Sequence, residues 1–326
     1  MPSASANPAP PNNRLIARFA WFVVFYNVLV IVWGAWVRAS GSGAGCGNRW
    51  PLCNGQVIPV SPGFHTLIEF THRMMVGGST LLVLVLLVWS FRATVKGQAA
   101  RALAVASTLL LLNEALLGAL LVKLGYVTGN QSTGRIVLLA IHLGNTLLLM
   151  AALTLTARFL STGQRWADLP LTRRLIGIVE GLVTTIFVGI TGSIAALGDT
   201  LFPAPSLHAS IAQDLAAGSP MLLRLRLVHP VLALVAALFT LWLAARARQA
   251  DPGRSSVQHA KRRGHANLLL ILLVLQFALG IADVVLLAPA WMQLLHLLGA
   301  DLFWIVLVQL AAETLWPAAA ASAKEA

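Results

Sequence analysis

The sequence predicts an all-α integral membrane protein, with eight transmembrane helices arranged as two pseudo-symmetric four-helix bundles. Three observations carry this expectation. Hydrophobic residues are 58% of the 326 residues and charged residues 10%, which leaves too few polar groups to cover the exterior of a soluble domain. Eight apolar runs reach about 20 residues, the length that crosses a hydrocarbon core. Finally, four histidines recur within a repeat. His72 and His142 are 70 residues apart and His229 and His296 are 67 apart; the halves are offset by 157 residues (His72 to His229) and 154 (His142 to His296).

The elements follow in order. Residues 1–18 form a cytoplasmic tail, whose first 13 residues are rich in Pro, Ala, Ser and Asn and read as disordered. Spans 1 to 4 fall near 19–38, 66–91, 101–123 and 135–159, within an N-terminal half over 19–160. No small-residue cleavage site follows span 1, so it is read as a retained span and not a signal peptide. A cytoplasmic linker covers 161–172, where Gln164 to Pro170 breaks the apolar pattern. Spans 5 to 8 fall near 173–194, 221–246, 267–287 and 291–316, within a C-terminal half over 173–316, and a second cytoplasmic tail covers 317–326. Backbone groups in lipid must be satisfied internally, so the spans are helices; the alternating polarity of a barrel is absent.

The repeat extends beyond the histidines. Glu114 to Gly118 on span 3 is answered by Gln276 to Gly280 on span 7, and Ile141 to Gly144 on span 4 by Leu295 to Gly299 on span 8. Thr185 to Gly192 on span 5 echoes Gly34 to Gly41 at the end of span 1. Four spans return the chain to its starting side, so both halves share an orientation and a pseudo-two-fold axis along the membrane normal follows.

Net charge is +12, but its distribution reports topology. Arg14 and Arg18, then Arg92, Lys96 and Arg101, then Arg158, Arg165, Arg173 and Arg174 cluster on the tail and the even-numbered loops. Arg246, Arg248, Arg254 and the run Lys261-Arg262-Arg263 complete the set, with Lys324 on the second tail. The positive-inside rule places both termini in the cytoplasm of a cell inner membrane. The basic run has no interleaved aromatics on which bases could stack, so no nucleic acid is expected. Cys46 and Cys53 lie in outer loop 1, on the side that is normally oxidising in a bacterium, so a disulfide across this loop is expected. A structural staple and a redox role both stay open.

His72, His142, His229 and His296 all lie near the outer ends of even-numbered spans, at one common depth. An intramembrane histidine is costly and is a functional candidate by default, against the blander reading of an interhelical hydrogen bond. Four at equal depth in a repeat favour function. Paired as His72 with His142 and His229 with His296, two imidazoles on facing helices can ligate a heme iron from both sides. Zinc fits less well, because it wants about four close ligands and each pair supplies two. His65, His208, His259 and His265 lack repeat partners and are expected to face solvent.

Glu69 precedes His72 by three positions and shares its helix face. Arg226 holds the matching position before His229. The halves therefore share a ligand pattern and differ in chemistry, which points to a reactive N-terminal site and an electron-transfer C-terminal site. A carboxylate beside a heme edge can accept a proton or stabilise a developing cation; the alternative is a salt bridge to Arg38, Arg73 or Arg135. Arg38, Arg73, Arg135 and Arg226 are also candidate partners of heme propionates, against ordinary interfacial snorkelling. Glu114 and Gln276 occupy matching positions and are read as helix bridges, and Asp199, Asp214, Asp283 and Asp301 carry little signal.

These residues resemble a known family. Gly34-Ala-Trp-Val-Arg38, then Ser40-Gly-Ser-Gly-Ala-Gly-Cys46 and Trp50-Pro-Leu-Cys53-Asn-Gly-Gln56, resemble the first outer loop of heme A synthases. Glu69-Phe-Thr-His72-Arg73 resembles their helix-2 signature, and His142, His229 and His296 fall where the family places its other histidines. The resemblance implies oxidation of the C8 methyl of heme O to the formyl of heme A, through an alcohol intermediate. It implies that His72 and His142 hold substrate heme O with Glu69 essential for conversion, and that His229 and His296 hold a permanent heme B. Cys46 and Cys53 match members in which a loop disulfide lies over the substrate site. Implied partners are heme O synthase, the cytochrome oxidase assembly pathway and a redox partner, beside the lipid bilayer; a homo-oligomer is compatible with the sequence. Two other classes compete. In a di-heme b-type electron-transfer cytochrome both pairs hold permanent heme B, but a wire needs no acid in one half. A transporter would place its site at the midplane between broken helices, whereas these histidines lie near one leaflet.

Overall fold

A computed structural model describes residues 12–163, 173–249 and 255–316. Most of the expected N-terminal tail, linker residues 164–172 and the C-terminal tail lie outside the described residues, as do Arg165, Arg254 and Lys324. Ten helices follow among the described residues: α1 Asn12–Ala39, α2 Phe64–Ala93, α3 Ala99–Lys123, α4 Thr133–Thr162 and α5 Arg173–Leu201. Then come α6 Leu207–Leu215, α7 Met221–Arg226, α8 Val228–Arg248, α9 Ser256–Val285 and α10 Ala290–Leu315. Eight helical stretches, with α7 and α8 counted together, are long and apolar enough to cross a membrane. The chain is a multi-pass, all-α membrane protein, as its composition predicts.

Three boundaries differ from the sequence reading. α1 begins at Asn12, inside the stretch read as tail, because Ile16, Ala17 and Ala20 are buried and give the extra turns something to pack on. α9 begins at Ser256, well before the apolar run. Ser255 caps it by accepting from the Gln258 N–H at 3.3 Å while the Gln258 side chain accepts from the Ser255 N–H at 3.1 Å, and this reciprocal pair satisfies two otherwise orphaned donors. The sixth span is interrupted at Leu227. Pro230 has no N–H to return to the carbonyl of Arg226 one turn earlier, so the helical ladder breaks there.

Within the first four helices, α1 packs on α2, α2 on α3, α3 on α4 and α4 back on α1. The second set closes the same way through α5, α8, α9 and α10. The rings meet where α1 and α4 face α5 and α10. Trp304 Nε1 on α10 donates to the Leu147 carbonyl on α4 at 2.8 Å, and Arg158 of α4 donates to Glu313 of α10 at 3.1 Å. His265, expected to face solvent, is instead half-buried on α9 with Nδ1 2.9 Å from Glu313 Oε2. The early start of α9 carries it up against α10.

The main apolar core is at one end of the molecule. It gathers the first halves of α1, α3 and α9 and the second halves of α2, α4, α8 and α10, with Leu153, Leu243, Leu269, Leu307 and Leu310 fully buried. The opposite end, where the even-numbered spans begin, holds a small cluster around Ile136, Ile194, Leu197 and Leu222. That less tightly packed end carries the four repeated histidines.

Candidate functional site

His72, His142 and His296 lie in the second or third turn of α2, α4 and α10, and His229 lies at the start of α8, just past the break at Leu227. Each ring rests against a glycine of a neighbouring helix. A Cβ at Gly34 would lie 2.9 Å from His72 Cε1, and one at Gly192 would lie 2.9 Å from His229 Cε1. At Gly280 the distance to His296 Cε1 is 3.3 Å and at Gly118 that to His142 Cε1 is 3.9 Å. Gly118 and Gly280 are repeat partners, and Gly34 and Gly192 hold matching places beneath His72 and His229, in place of the Gly41–Gly192 match that the sequence echo implies. The duplication has therefore preserved the cradle for each imidazole as well as the imidazole.

The His229 and His296 rings face each other with centroids 6.4 Å apart and planes at 87°. Two nitrogen–metal bonds of about 2 Å each, plus the nitrogen-to-centroid distance in each ring, add to roughly 6 Å, so one metal between the rings fits this separation. His229 Nδ1 lies 3.1 Å from the Val188 carbonyl; as donor there, it leaves Nε2 as the acceptor that a metal requires. Among the described residues, Nδ1 of His72, His142 and His296 is buried without a hydrogen-bond partner. Among the described residues no three His, Cys, Asp or Glu side chains converge as a metal cluster. Pairs of imidazoles suit a planar macrocycle that supplies its own equatorial ligands, and do not suit tetrahedral zinc.

His142 has a carboxylate behind it that the sequence reading treated as a helix bridge. Glu114 Oε1 lies 3.3 Å from His142 Nδ1. The same carboxylate accepts from Asn145 Nδ2 at 2.5 Å and from the Thr146 hydroxyl, and Asn145 also bonds Asn113 and the Leu110 carbonyl. Glu114 therefore does bridge α3 and α4, and it reaches the histidine while doing so. Its repeat partner Gln276 packs instead against Gly299, with Nε2 buried and unpartnered.

Glu69 is buried, with 3% of its surface exposed. It accepts the Cys46 backbone N–H at 2.8 Å and two bonds from Arg73, at 2.6 Å to Nη2 and 3.2 Å to Nε. Arg73 continues to the Leu52 carbonyl at 2.9 Å. Of the three ion-pair partners open in the sequence, Arg73 is the one observed. Cys46 and Cys53 form a disulfide, and its loop is pinned to the start of α2. Thr66 Oγ1 donates to the Gly45 carbonyl at 2.8 Å, and a Cβ at Gly45 would come within 2.4 Å of the His65 carbonyl oxygen. The disulfide loop thus sits directly on Glu69. His65 is exposed yet bonds Ser42 Oγ at 2.9 Å, while His208 is exposed as expected.

The matching position in the second half is inverted in charge. Arg226, also buried, is ion-paired with Asp199 at 2.6 Å and Asp214 at 2.5 Å; these aspartates carry little signal in the sequence because their partner lies on another helix. Arg38 reaches from α1 across the junction between rings, donating to the Ala196 carbonyl at 2.8 Å, Thr200 Oγ1 at 3.0 Å and Gln293 Oε1 at 2.9 Å. Arg135 is buried and donates to the Asn130 carbonyl at 2.7 Å.

The family described as cytochrome oxidase assembly protein matches residues 17–308 of this sequence. The chain belongs to that family. Relatives of the chain include a protein of Thermus thermophilus named protoheme IX farnesyltransferase, 42% identical over 314 residues, which are 94% of this chain and 49% of the relative. A heme A synthase of an Exiguobacterium species is 33% identical over 182 residues, 56% of this chain and 58% of the relative. A heme A synthase of Shouchella clausii is 40% identical over 131 residues, 40% of this chain and 41% of the relative. The chain spans about half the length of the curated relatives it matches.

Proposed function

We propose that the chain is a heme A synthase, which oxidises the C8 methyl of heme O to a formyl group through an alcohol. The observation that carries the reading is the asymmetry between two otherwise matched histidine pairs. Carboxylates stand beside the N-terminal pair at Glu69 and Glu114, where the C-terminal pair has Arg226 and Gln276. A symmetric pair of electron carriers needs no such difference. The names of the Exiguobacterium and Shouchella relatives support the same activity.

In this reading residues 19–160 hold the substrate heme O through His72 and His142, and residues 173–316 hold heme B through His229 and His296. Heme B, when bound, supplies one-electron transfer from the substrate site to an external acceptor. Glu69 is placed to take a proton released from the methyl group or to stabilise positive charge developing there. Arg73 and the Cys46 N–H hold its carboxylate group in place, and the disulfide loop lies over it. The Val188 carbonyl orients His229 so that it presents Nε2, and Glu114 stands 3.3 Å behind His142 Nδ1, placed to do the same when a heme is bound. Arg38 and Arg135 are the better candidates to meet propionates, because Arg73 and Arg226 are already engaged by protein carboxylates. The histidine end faces outward and both termini are cytoplasmic, as the basic loops indicate. The farnesyltransferase name of the Thermus relative supports heme O synthase as the supplier of substrate.

The test is chromatography of hemes extracted from the purified protein after co-expression with a heme O synthase. Heme B together with heme O, its alcohol or heme A is the expected outcome. Heme B alone, with heme O available in the same membranes, would favour the di-heme electron-transfer cytochrome.

A further inference from the structure

Helix α6 has its two faces reversed relative to a helix that lies between protein and water. Its inward side carries Ser210, Gln213 and Asp214, each partly covered, and Asp214 is fixed there by Arg226 at 2.5 Å. Its outward side carries Leu207, Ile211 and Leu215, at four-residue spacing along one stripe, with exposures of 39%, 51% and 69%. No residue of α6 is buried. Side chains four apart fall on one helix face, so the helix points its apolar stripe away from the protein and its polar stripe toward it.

Such an arrangement is stable only where the outer medium is itself apolar. The chain supplies the identity of that medium. α6 connects two membrane spans, α5 and the α7–α8 pair, and packs on α7. The span that follows is apolar on its exposed surface too, with Met221, Leu227 and Val231 exposed by 57%, 44% and 60%. We propose that α6 is an interfacial helix seated in the acyl-chain boundary of the leaflet at the histidine end, so that the connection between α5 and α7 is a lipid-binding surface and not a solvent loop. The occupant is phospholipid acyl chain, in the way that in-plane helices of peripheral proteins bury one face. The consequence reaches the site: Asp214, on the inner side of this helix, holds Arg226, and Arg226 is three residues before His229. Lipid seating of α6 therefore positions the charge next to the C-terminal pair.

The experiment is spin-label accessibility on the full chain in phosphatidylcholine nanodiscs. Ile211→Cys, Leu215→Cys and Ala212→Cys variants label selectively, because Cys46 and Cys53 are joined in the disulfide. Labels at 211 and 215 are expected to collide several-fold more with dissolved oxygen than with a water-soluble nickel chelate. Greater collision with the chelate would overturn the proposal by placing the stripe in water. Shielding from both would overturn it in favour of a protein partner or a second copy. As a check that needs no substitution, the native chain is photolysed in vesicles containing a phosphatidylcholine with a diazirine on its acyl chain. Adducts on the peptide 207–216 are expected; adducts on α8 with none on that peptide would contradict the proposal.

Discussion

Glu114 Oε1 lies 3.3 Å from His142 Nδ1, and the carboxylate is held in place by Asn145 and Thr146 from the helix that carries the histidine. A carboxylate behind an imidazole fixes its tautomer and raises its basicity as a ligand, and loss of such a partner costs roughly 10–100-fold in metal affinity. Glu114→Gln is expected to weaken heme binding at the N-terminal pair by that order and to leave heme B untouched. Heme titration of the purified variant, followed by its absorption spectrum, measures both. A simultaneous fall in heme B would show that Glu114 acts on the bundle as a whole.

Glu69→Gln keeps the size of the side chain and its bond from the Cys46 N–H while removing the charge that pairs with Arg73. Conversion of heme O is expected to fall by about 10²–10⁴, the usual contribution of a positioned acid or base. Content of heme B and heme O should stay near that of the parent. A variant that retained both hemes and still made heme A at the parental rate would remove Glu69 from the mechanism.

Much of this was legible in the sequence, and what was not has a common cause. Apolar length alone sets eight spans, and the repeat fixes which histidines correspond. Glu69 could be read because its relation to His72 is local, three positions along one helix. Glu114 could not, since its carboxylate is defined by Asn145 and Thr146, about 30 residues away on α4. Asp199 and Asp214 were opaque for the same reason, their partner Arg226 being 27 and 12 residues on. His265 was misplaced because the start of α9 is set by a polar capping pair and not by hydrophobicity. Gly118 and Gly280 were visible in the repeated segments, but the match of Gly34 with Gly192 was not, since the sequence echo aligned Gly192 with Gly41 and only the packing shows which glycine lies beneath each histidine.

Gly192→Ala tests the cradle. Its Cβ would fall 2.9 Å from His229 Cε1, inside van der Waals contact, so the ring must shift. Heme B is expected to bind more weakly with an altered low-spin spectrum, while the thermal midpoint changes little because the displaced atoms end a side chain. Gly34→Ala should produce the corresponding change at the N-terminal pair and spare heme B. Unaltered electron paramagnetic resonance of heme B in Gly192→Ala would disprove the contact.

The Cys46–Cys53 disulfide closes a short loop, with a sequence separation of seven. By chain entropy that closure contributes about 2.5 kcal/mol to the ordered loop. Cys46→Ser with Cys53→Ser is expected to loosen the loop above Glu69, seen as faster proteolysis within residues 46–60, and to lower conversion without loss of heme B. A proteolysis rate equal to the parent would show that the bonds from Thr66 to the Gly45 carbonyl and from Arg73 to the Leu52 carbonyl hold the loop unaided.

The most direct test of two matched sites with different occupants is the heme content of four variants, His72→Ala, His142→Ala, His229→Ala and His296→Ala, each purified from cells that make heme O. Heme B should disappear from the His229 and His296 variants and persist in the other two, which should instead lose heme O and its products. Equal loss of heme B from all four would contradict the division of labour between the halves.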